Sequence, residues 1–266
     1  MVFLAYIMYP FLILHSLIGW VFTAVSLMVL SISAWLTRPE GRDAQLRHYH
    51  ACAQSWARLV TAVCRVRIEI EGLEHMEAAF RRGAVVVACN HQSFMDIPIL
   101  LGQLPGYFAF VSKAEVFAVP VLGPYMEACG FIKLRRGNQA SSREALGDCL
   151  DALRSGRSVL MFPEGTRSDA GALGPFKKGP AVLAARAQVA ILPVALEGSF
   201  NALSKGSFLA RPATVTLRAG PLIMPPAPSE SAEPVDEATA RLRHAVGRLL
   251  PARPEPEVTV PTGLEA

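Results

Sequence analysis

Charge is missing from the front of this chain: from Met1 to Leu36 there is no Asp, Glu, Lys or Arg, only His15 and a few hydroxyl residues. That run exceeds the roughly 20 residues needed to cross a bilayer. A cleaved signal peptide fits poorly, because there is no basic n-region, the apolar stretch is too long and no small-residue cleavage site comes after it. CxxC spacing is also absent. The five cysteines, Cys52, Cys64, Cys89, Cys129 and Cys149, are odd in number and scattered, which fits reduced core residues in a cytosolic compartment and no metal site. There is no internal repeat, no aromatic-interleaved basic stripe and no reader motif, so no nucleic-acid partner is expected. The net charge of +4 and the pI near 8.9 suit an anionic membrane surface or phosphorylated substrates.

What the chain does have is apolar content, 52% of 266 residues with a mean hydropathy of +0.32, enough for one large α/β domain and an accessory element. The uncharged front reads as a membrane-attaching helix. Ala44 to Cys64 comes next as an amphipathic helix, apolar at Leu46, Trp56, Leu59 and Val63, that lies in the interface or pairs with the first. Arg38, Arg42, Arg47 and Arg58 favour the cytoplasmic side of an inner or plasma membrane for the α/β region. The expected organisation is membrane-associating helices over 1–64, an α/β domain over 65–222, and over 223–266 a Pro-rich connector, a polar helix from Val235 to Leu250 and a disordered tail.

Within the α/β region, strands are expected at Arg65–Ile70, 84–89, 107–111, 130–134, 158–162, 190–196 and 214–217, with helices near 96–102, 140–155 and 180–187. Two prolines and Gly123 break 114–129 into short helices, and Pro193 argues for an edge strand or a bulge. The predicted fold class is α/β, a central mostly parallel, mixed sheet flanked by helices.

The stretch Asn90 to Asp96, NHQSFMD, stands directly after the uncharged run Ala84–Cys89, which reads as a buried central strand. On one continuous helix, residues five apart differ by roughly 140°, so His91 and Asp96 would not face each other. Across a strand, turn and helix start, the carboxylate can fold back onto one imidazole nitrogen and leave the other as a base. No Ser or Cys nucleophile is obvious beside the pair, so the base would activate a hydroxyl of the substrate. The same residues also fit a capping box, Ser93-x-x-Asp96, with the histidine merely structural.

Two further stretches lie at strand ends. GFIKLRR, Gly130 to Arg136, gathers Lys133, Arg135 and Arg136, a candidate phosphate site if not a solvated surface. Pro163 to Ser168 combines Glu164, Gly165, Thr166 and Arg167. Such a loop can clamp a phosphate through Arg167, accept from a hydroxyl through Glu164 and offer amides near Gly165 as oxyanion donors, or be an ordinary turn with a local ion pair. Lys177 and Lys178 precede an Ala-rich helix whose N-terminus adds to anion binding.

Taken in order, NHQSFMD, GFIKLRR, FPEGTRS and ILPVAL resemble the four blocks of the glycerolipid acyltransferases, over roughly residues 60 to 220. The hydrophobic front with its amphipathic helix is similar to that of bacterial lysophosphatidic acid acyltransferases. The resemblance implies transfer of a fatty acyl group from acyl-CoA or acyl carrier protein, with no other cofactor, to the free hydroxyl of 1-acyl-glycerol-3-phosphate at a membrane. His91 would be the general base and Asp96 its orienter. Arg136, Glu164 and Arg167 would bind the acceptor and Gly165 would shape the loop, with Asn90, Ser93, Lys133 and Thr166 completing the expected substrate-binding set. Arg135 stands where the family often has an acidic residue, which leaves open which of Lys133, Arg135 and Arg136 grips the phosphate. The alternatives are another lysolipid acceptor, such as lyso-ornithine lipid, and a non-catalytic membrane-remodelling protein, against which the intact His91 and Asp96 argue. A two-metal phosphohydrolase lacks the further ligands it would need.

Overall fold

The computed structural model describes residues 2–168, 172–225 and 234–251. Its first helix, α1 (Val2–Leu36), leads into α2 (Arg42–Val63), and the remaining elements build around a seven-stranded sheet. In chain order these are β1 (Val66–Glu71), α3 (Leu73–Arg82), β2 (Val86–Cys89), α4 (Asp96–Gln103), β3 (Phe108–Lys113), α5 (Leu122–Ala128) and β4 (Ile132–Leu134). Then come α6 (Gln139–Arg154), β5 (Ser158–Met161), α7 (Gly179–Ala187), β6 (Ile191–Glu197), α8 (Ser199–Ala202), β7 (Ala213–Ala219) and α9 (Val235–Leu249). A 3-10 turn at Ala114–Ala118 precedes α5, so the expected short, broken helices are there.

The strand order is β1-β7-β6-β2-β5-β3-β4, and only the β6–β7 pairing is antiparallel, so the sheet is mixed and mostly parallel. β2 lies at its centre with all four residues buried, which is why its sequence shows no polar alternation. Its side chains still alternate. Val87 and Cys89 join a core with α2, α3 and α4 through Ala57, Met76 and Leu100, while Val86 and Ala88 join one with α6, α7 and α9 through Cys149, Leu183 and Leu242.

β6 decides between the two expectations that Pro193 raised. The register against β7 slips by one residue across it, from Val194 opposite Ala219 to Ile191 opposite Ile223, which is the expected bulge. The edge position is excluded, because β6 is an inner strand between β7 and β2. The Pro193 carbonyl accepts from Gly220 N (2.9 Å), so its ring nitrogen faces β7, where the ladder begins only at Val194 opposite Ala219. No donor is lost towards β2. α3 and α8 are additions to the elements expected from the sequence. The connector falls largely at 226–233 and the tail at 252–266, outside the described residues.

The amphipathic helix α2 does two jobs. Trp56 Nε1 donates to Ser26 Oγ of α1 (3.0 Å), while Arg58 Nε donates to Gly102 O at the end of α4 (2.7 Å). Its buried face, including Tyr49, His50, Ala53 and Ala57, lies against the sheet domain. α1 keeps one flank on the protein and exposes Leu17, Val21, Val25, Met28, Ile32 and Trp35 on the other. By length and composition, Tyr9–Leu36 is apolar enough to cross a membrane.

Candidate active site

The topology puts the ends of β2, β5, β3 and β4 side by side, so the first three sequence blocks meet at the carboxyl edge of neighbouring strands. Asn90 extends the ladder past the end of β2: its Nδ2 donates to Leu196 O (2.9 Å) and its Oδ1 accepts from Leu196 N (2.7 Å). The carboxamide thus fastens the turn to β6. Ser93 is likewise taken up by backbone, donating to Leu203 O (2.7 Å) and accepting from Met95 N (3.0 Å).

Asp96 opens α4 and is fully buried. Its Oδ2 accepts from Gln92 N (2.7 Å), Ser93 N (2.8 Å) and His91 Nδ1 (2.7 Å). The Ser93 contact is the reciprocal half of a capping box, so the structural and catalytic readings describe the same oxygen. Because that oxygen already accepts two amide protons, the short contact to the ring places hydrogen on Nδ1 and leaves the lone pair on Nε2. Nε2 has no hydrogen-bond partner among the described residues. The ring is also held by its face, stacked on Phe162 with centroids 3.9 Å apart and planes 13° apart.

The second turn is bonded to the first. Glu164 Oε1 accepts from His91 N (2.7 Å), Oε2 accepts from Gly174 N (2.9 Å), and Ser168 N donates to His91 O (2.8 Å). Burial pushes the Glu164 carboxyl up, against the two amide bonds that favour its charged form. Gly165 has φ +72° and lies under Lys177, whose Nζ would sit 2.9 Å from a Cβ there. The conformation favours glycine, whereas the Lys177 side chain could move aside. Its own amide donates to Phe162 O (3.0 Å), so that N–H is already used in the turn.

Arg167 rests its guanidinium 3.8 Å over the Phe94 ring, and its Nη1 is buried without a partner among the described residues. Thr166 is exposed beside it. On the far side of β5, Lys133 pairs with Glu127 (3.1 Å) and lies over Phe117, whereas Arg136 is exposed. Lys113 at the end of β3 pairs with Glu115 (3.4 Å). The Glu115 carboxyl is held below its usual range, first by its own backbone amide and then by Lys113 and Arg136. Sequence reasoning alone does not single out Lys113, Phe94 and Phe162. Their signal is positional, since Lys113 ends β3 and the two phenylalanines lie inside the first and third blocks. Cys89 lies beside the pair but is fully buried, and burial with the Asp96 and Glu164 carboxylates raises its thiol well above the usual range, which disqualifies it as a nucleophile. Among the described residues no group of three or more His, Cys, Asp or Glu is placed to hold a metal ion.

The sequence matches the Acyltransferase family over residues 67–197. A chloroplastic 1-acyl-sn-glycerol-3-phosphate acyltransferase of Arabidopsis thaliana is 38% identical over 161 residues, covering 60% of this chain and 44% of that protein. A 1-acyl-sn-glycerol-3-phosphate acyltransferase of Limnanthes alba is 31% identical over 201 residues, 74% of this chain and 68% of the relative. The crystal structure of the 1-acyl-sn-glycerophosphate acyltransferase of Thermotoga maritima superposes with a TM-score of 0.74 at 25% identity, covering 89% of this chain and 93% of that one. This chain spans less than half the length of the first two curated relatives it matches, 44% and 46%.

Proposed function

The chain belongs to the acyltransferase family, and from that premise we propose that it moves a fatty acyl group from a thioester to the sn-2 hydroxyl of 1-acyl-glycerol-3-phosphate, giving phosphatidic acid at a membrane surface. The observation that carries the reading is the His91–Asp96 pair, held at 2.7 Å with Nε2 left unpartnered. An unactivated alcohol is a poor nucleophile near neutral pH, and general-base assistance contributes roughly 10² to 10⁴-fold.

In the proposed step His91 Nε2 removes the acceptor hydroxyl proton as its oxygen bonds to the thioester carbonyl carbon. Asp96 stabilises the imidazolium that forms. The tetrahedral intermediate collapses, the C–S bond breaks, and the thiolate leaves with the proton returned from His91. Arg167, with Nη1 unpartnered among the described residues, and Arg136 are the cations we assign to the acceptor phosphate, supported by Lys113 and Lys133 on the same edge. Asn90, Ser93 and Glu164 serve the reaction by holding the two turns together. The donor is acyl-CoA or acyl carrier protein, and the catalytic domain faces the cytoplasm.

The test is thiol release by the purified full chain in detergent, with each donor and with either 1-acyl-glycerol-3-phosphate or lyso-ornithine lipid as acceptor. We expect release with the phosphate acceptor and none from His91→Ala. Turnover retained by His91→Ala removes the base assignment, and release with lyso-ornithine lipid alone moves the acceptor to a phosphate-free lysolipid.

A further inference from the structure

Among the described residues, Phe208 has the largest exposure, 80%, of any large apolar side chain. It does not sit on a loose strand of chain. The loop from Leu203 to Arg211 is closed at its neck by Arg211 N donating to Ala202 O (2.8 Å) and braced inside by Ser207 N to Ser204 O (3.1 Å) and Leu209 N to Ser207 Oγ (3.0 Å). Leu203 and Ala210 at its base are buried. A closed loop that points one large ring into solvent has no folding reason to do so.

Two neighbours bear on what could cover it. The loop is tied to the uncharged helix α1, where Ser16 Oγ donates to Ala210 O (3.2 Å) and Trp20 Nε1 donates to Phe208 O (2.8 Å). Around those tethers α1 exposes Phe11, Leu17, Ile18 and Val21, so Phe208 continues an apolar surface that no part of the described protein covers. The loop's charges are both cationic, Lys205 and Arg211, and both are exposed. An apolar tip between cations, beside an amphipathic indole, matches the interface of an anionic bilayer. A globular partner would not be expected to extend this surface along an uncharged helix. At its other end the loop reaches the catalytic turn, since Leu203 O accepts from Ser93 Oγ (2.7 Å) next to the half-exposed Phe94.

We propose that the 203–211 loop is a second bilayer-binding element: Phe208 enters the acyl region of an anionic phospholipid membrane, Lys205 and Arg211 meet lipid phosphates, and the loop seats the catalytic turn on that surface. The proposal goes beyond the acyl-transfer reading and does not depend on it, because its test reads depth in the membrane and not turnover.

The full chain is reconstituted in vesicles of phosphatidylglycerol and phosphatidylethanolamine, with Cys52→Ser removing the cysteine that is not buried. An environment-sensitive fluorophore is then placed in turn at Phe208→Cys, at Val25→Cys on the exposed face of α1 and at Arg154→Cys at the opposite edge of the sheet. The label at 208 is expected to shift to the blue and be quenched by spin-labelled lipid, as at 25, while the label at 154 is quenched by aqueous iodide. A label at 208 that behaves like that at 154, with 25 in lipid, overturns the proposal. A wet label at 25 removes the membrane reading of α1 and the proposal with it. A blue shift at 208 that does not weaken when phosphatidylglycerol is replaced by phosphatidylcholine overturns the role given to Lys205 and Arg211.

Discussion

Asp96 Oδ2 is shared by one ring nitrogen and two backbone amides while Oδ1 has no partner among the described residues, so an amide can keep its oxygen on all three but brings no charge to hold the imidazolium. Asp96→Asn leaves a neutral, weaker acceptor facing His91 Nδ1 or, with the amide reversed, an NH₂ that favours the wrong tautomer. The expected loss in kcat is about 10⁴-fold, the scale seen when the orienting carboxylate of a serine-protease triad becomes its amide; steady-state thiol release checks it. Glu164→Gln, in contrast, offers one acceptor where two amides need one each, leaving either His91 N or Gly174 N unpaired. A buried amide without a partner costs about 1–3 kcal/mol, to be read by urea unfolding. His50 bears on pH instead. Burial first and Arg157 second push its pKa from 6.5 down to about 4. The ring is neutral in the fold, so its contribution is complete above the unfolded value and is lost as pH falls towards the folded one, where only the unfolded chain gains a proton. Across that window, at about 1.4 kcal/mol per pH unit, the loss reaches about 3 kcal/mol. Urea unfolding between neutral pH and about pH 5 should show this slope, and His50→Gln should flatten it.

At the scale of elements, a chain of contacts joins the C-terminal helix to the base. Arg243 of α9 donates from Nε to Gly174 O (3.0 Å) and from Nη2 to Leu173 O (3.1 Å), and Gly174 N in turn donates to the Glu164 carboxylate that holds His91 N. Arg243→Ala should therefore lower kcat by about 10-fold while the melting temperature changes little, and Arg243→Lys should recover part of it by reaching one carbonyl. A parallel loss of kcat and folded fraction would make Arg243 a purely structural residue. Nothing in the sequence marks this link, because it depends on α9 packing against a loop some seventy residues earlier. By contrast, β2 and the motif turn are legible because both obey local rules: an uncharged run, then polar residues, then a carboxylate and a proline opening a helix. α3 escapes notice although Leu73, Met76 and Phe80 have helical spacing, since Gly72 and Gly83 bracket it closely enough to read as one loop. Pro193 marks the bulge correctly, and its edge alternative fails for a physical reason: a proline's missing donor matters only on the side its nitrogen faces, and the sequence does not show which side that is.

For the whole molecule, the proposed membrane attachment has to allow for half of α1 being attached to the protein. Its tethers run from Ser16 on Ala210, through Trp20 on Phe208 and Ser26 on Trp56, to Ala34 O, which His48 contacts. Over that same stretch the opposite flank exposes Val21, Val25, Met28, Ile32 and Trp35, so on the proposed membrane attachment lipid covers one side where protein covers the other. A helix normal to the bilayer cannot satisfy this, because α2, which lies against it, carries Arg42, Asp43, Arg47 and Arg58. The part of α1 ahead of the tethers, Val2 to His15, is about 20 Å long at 1.5 Å per residue, short of the roughly 30 Å hydrocarbon core. α1 should thus lie tilted within one leaflet, with the carboxyl edge of the sheet held near the same surface through the Ser93–Leu203 bond. The check is Tyr9→Cys in sealed vesicles carrying the catalytic domain outside. An impermeant maleimide trapped in the lumen should leave it unlabelled, and labelling from the lumen would mean that the helix crosses.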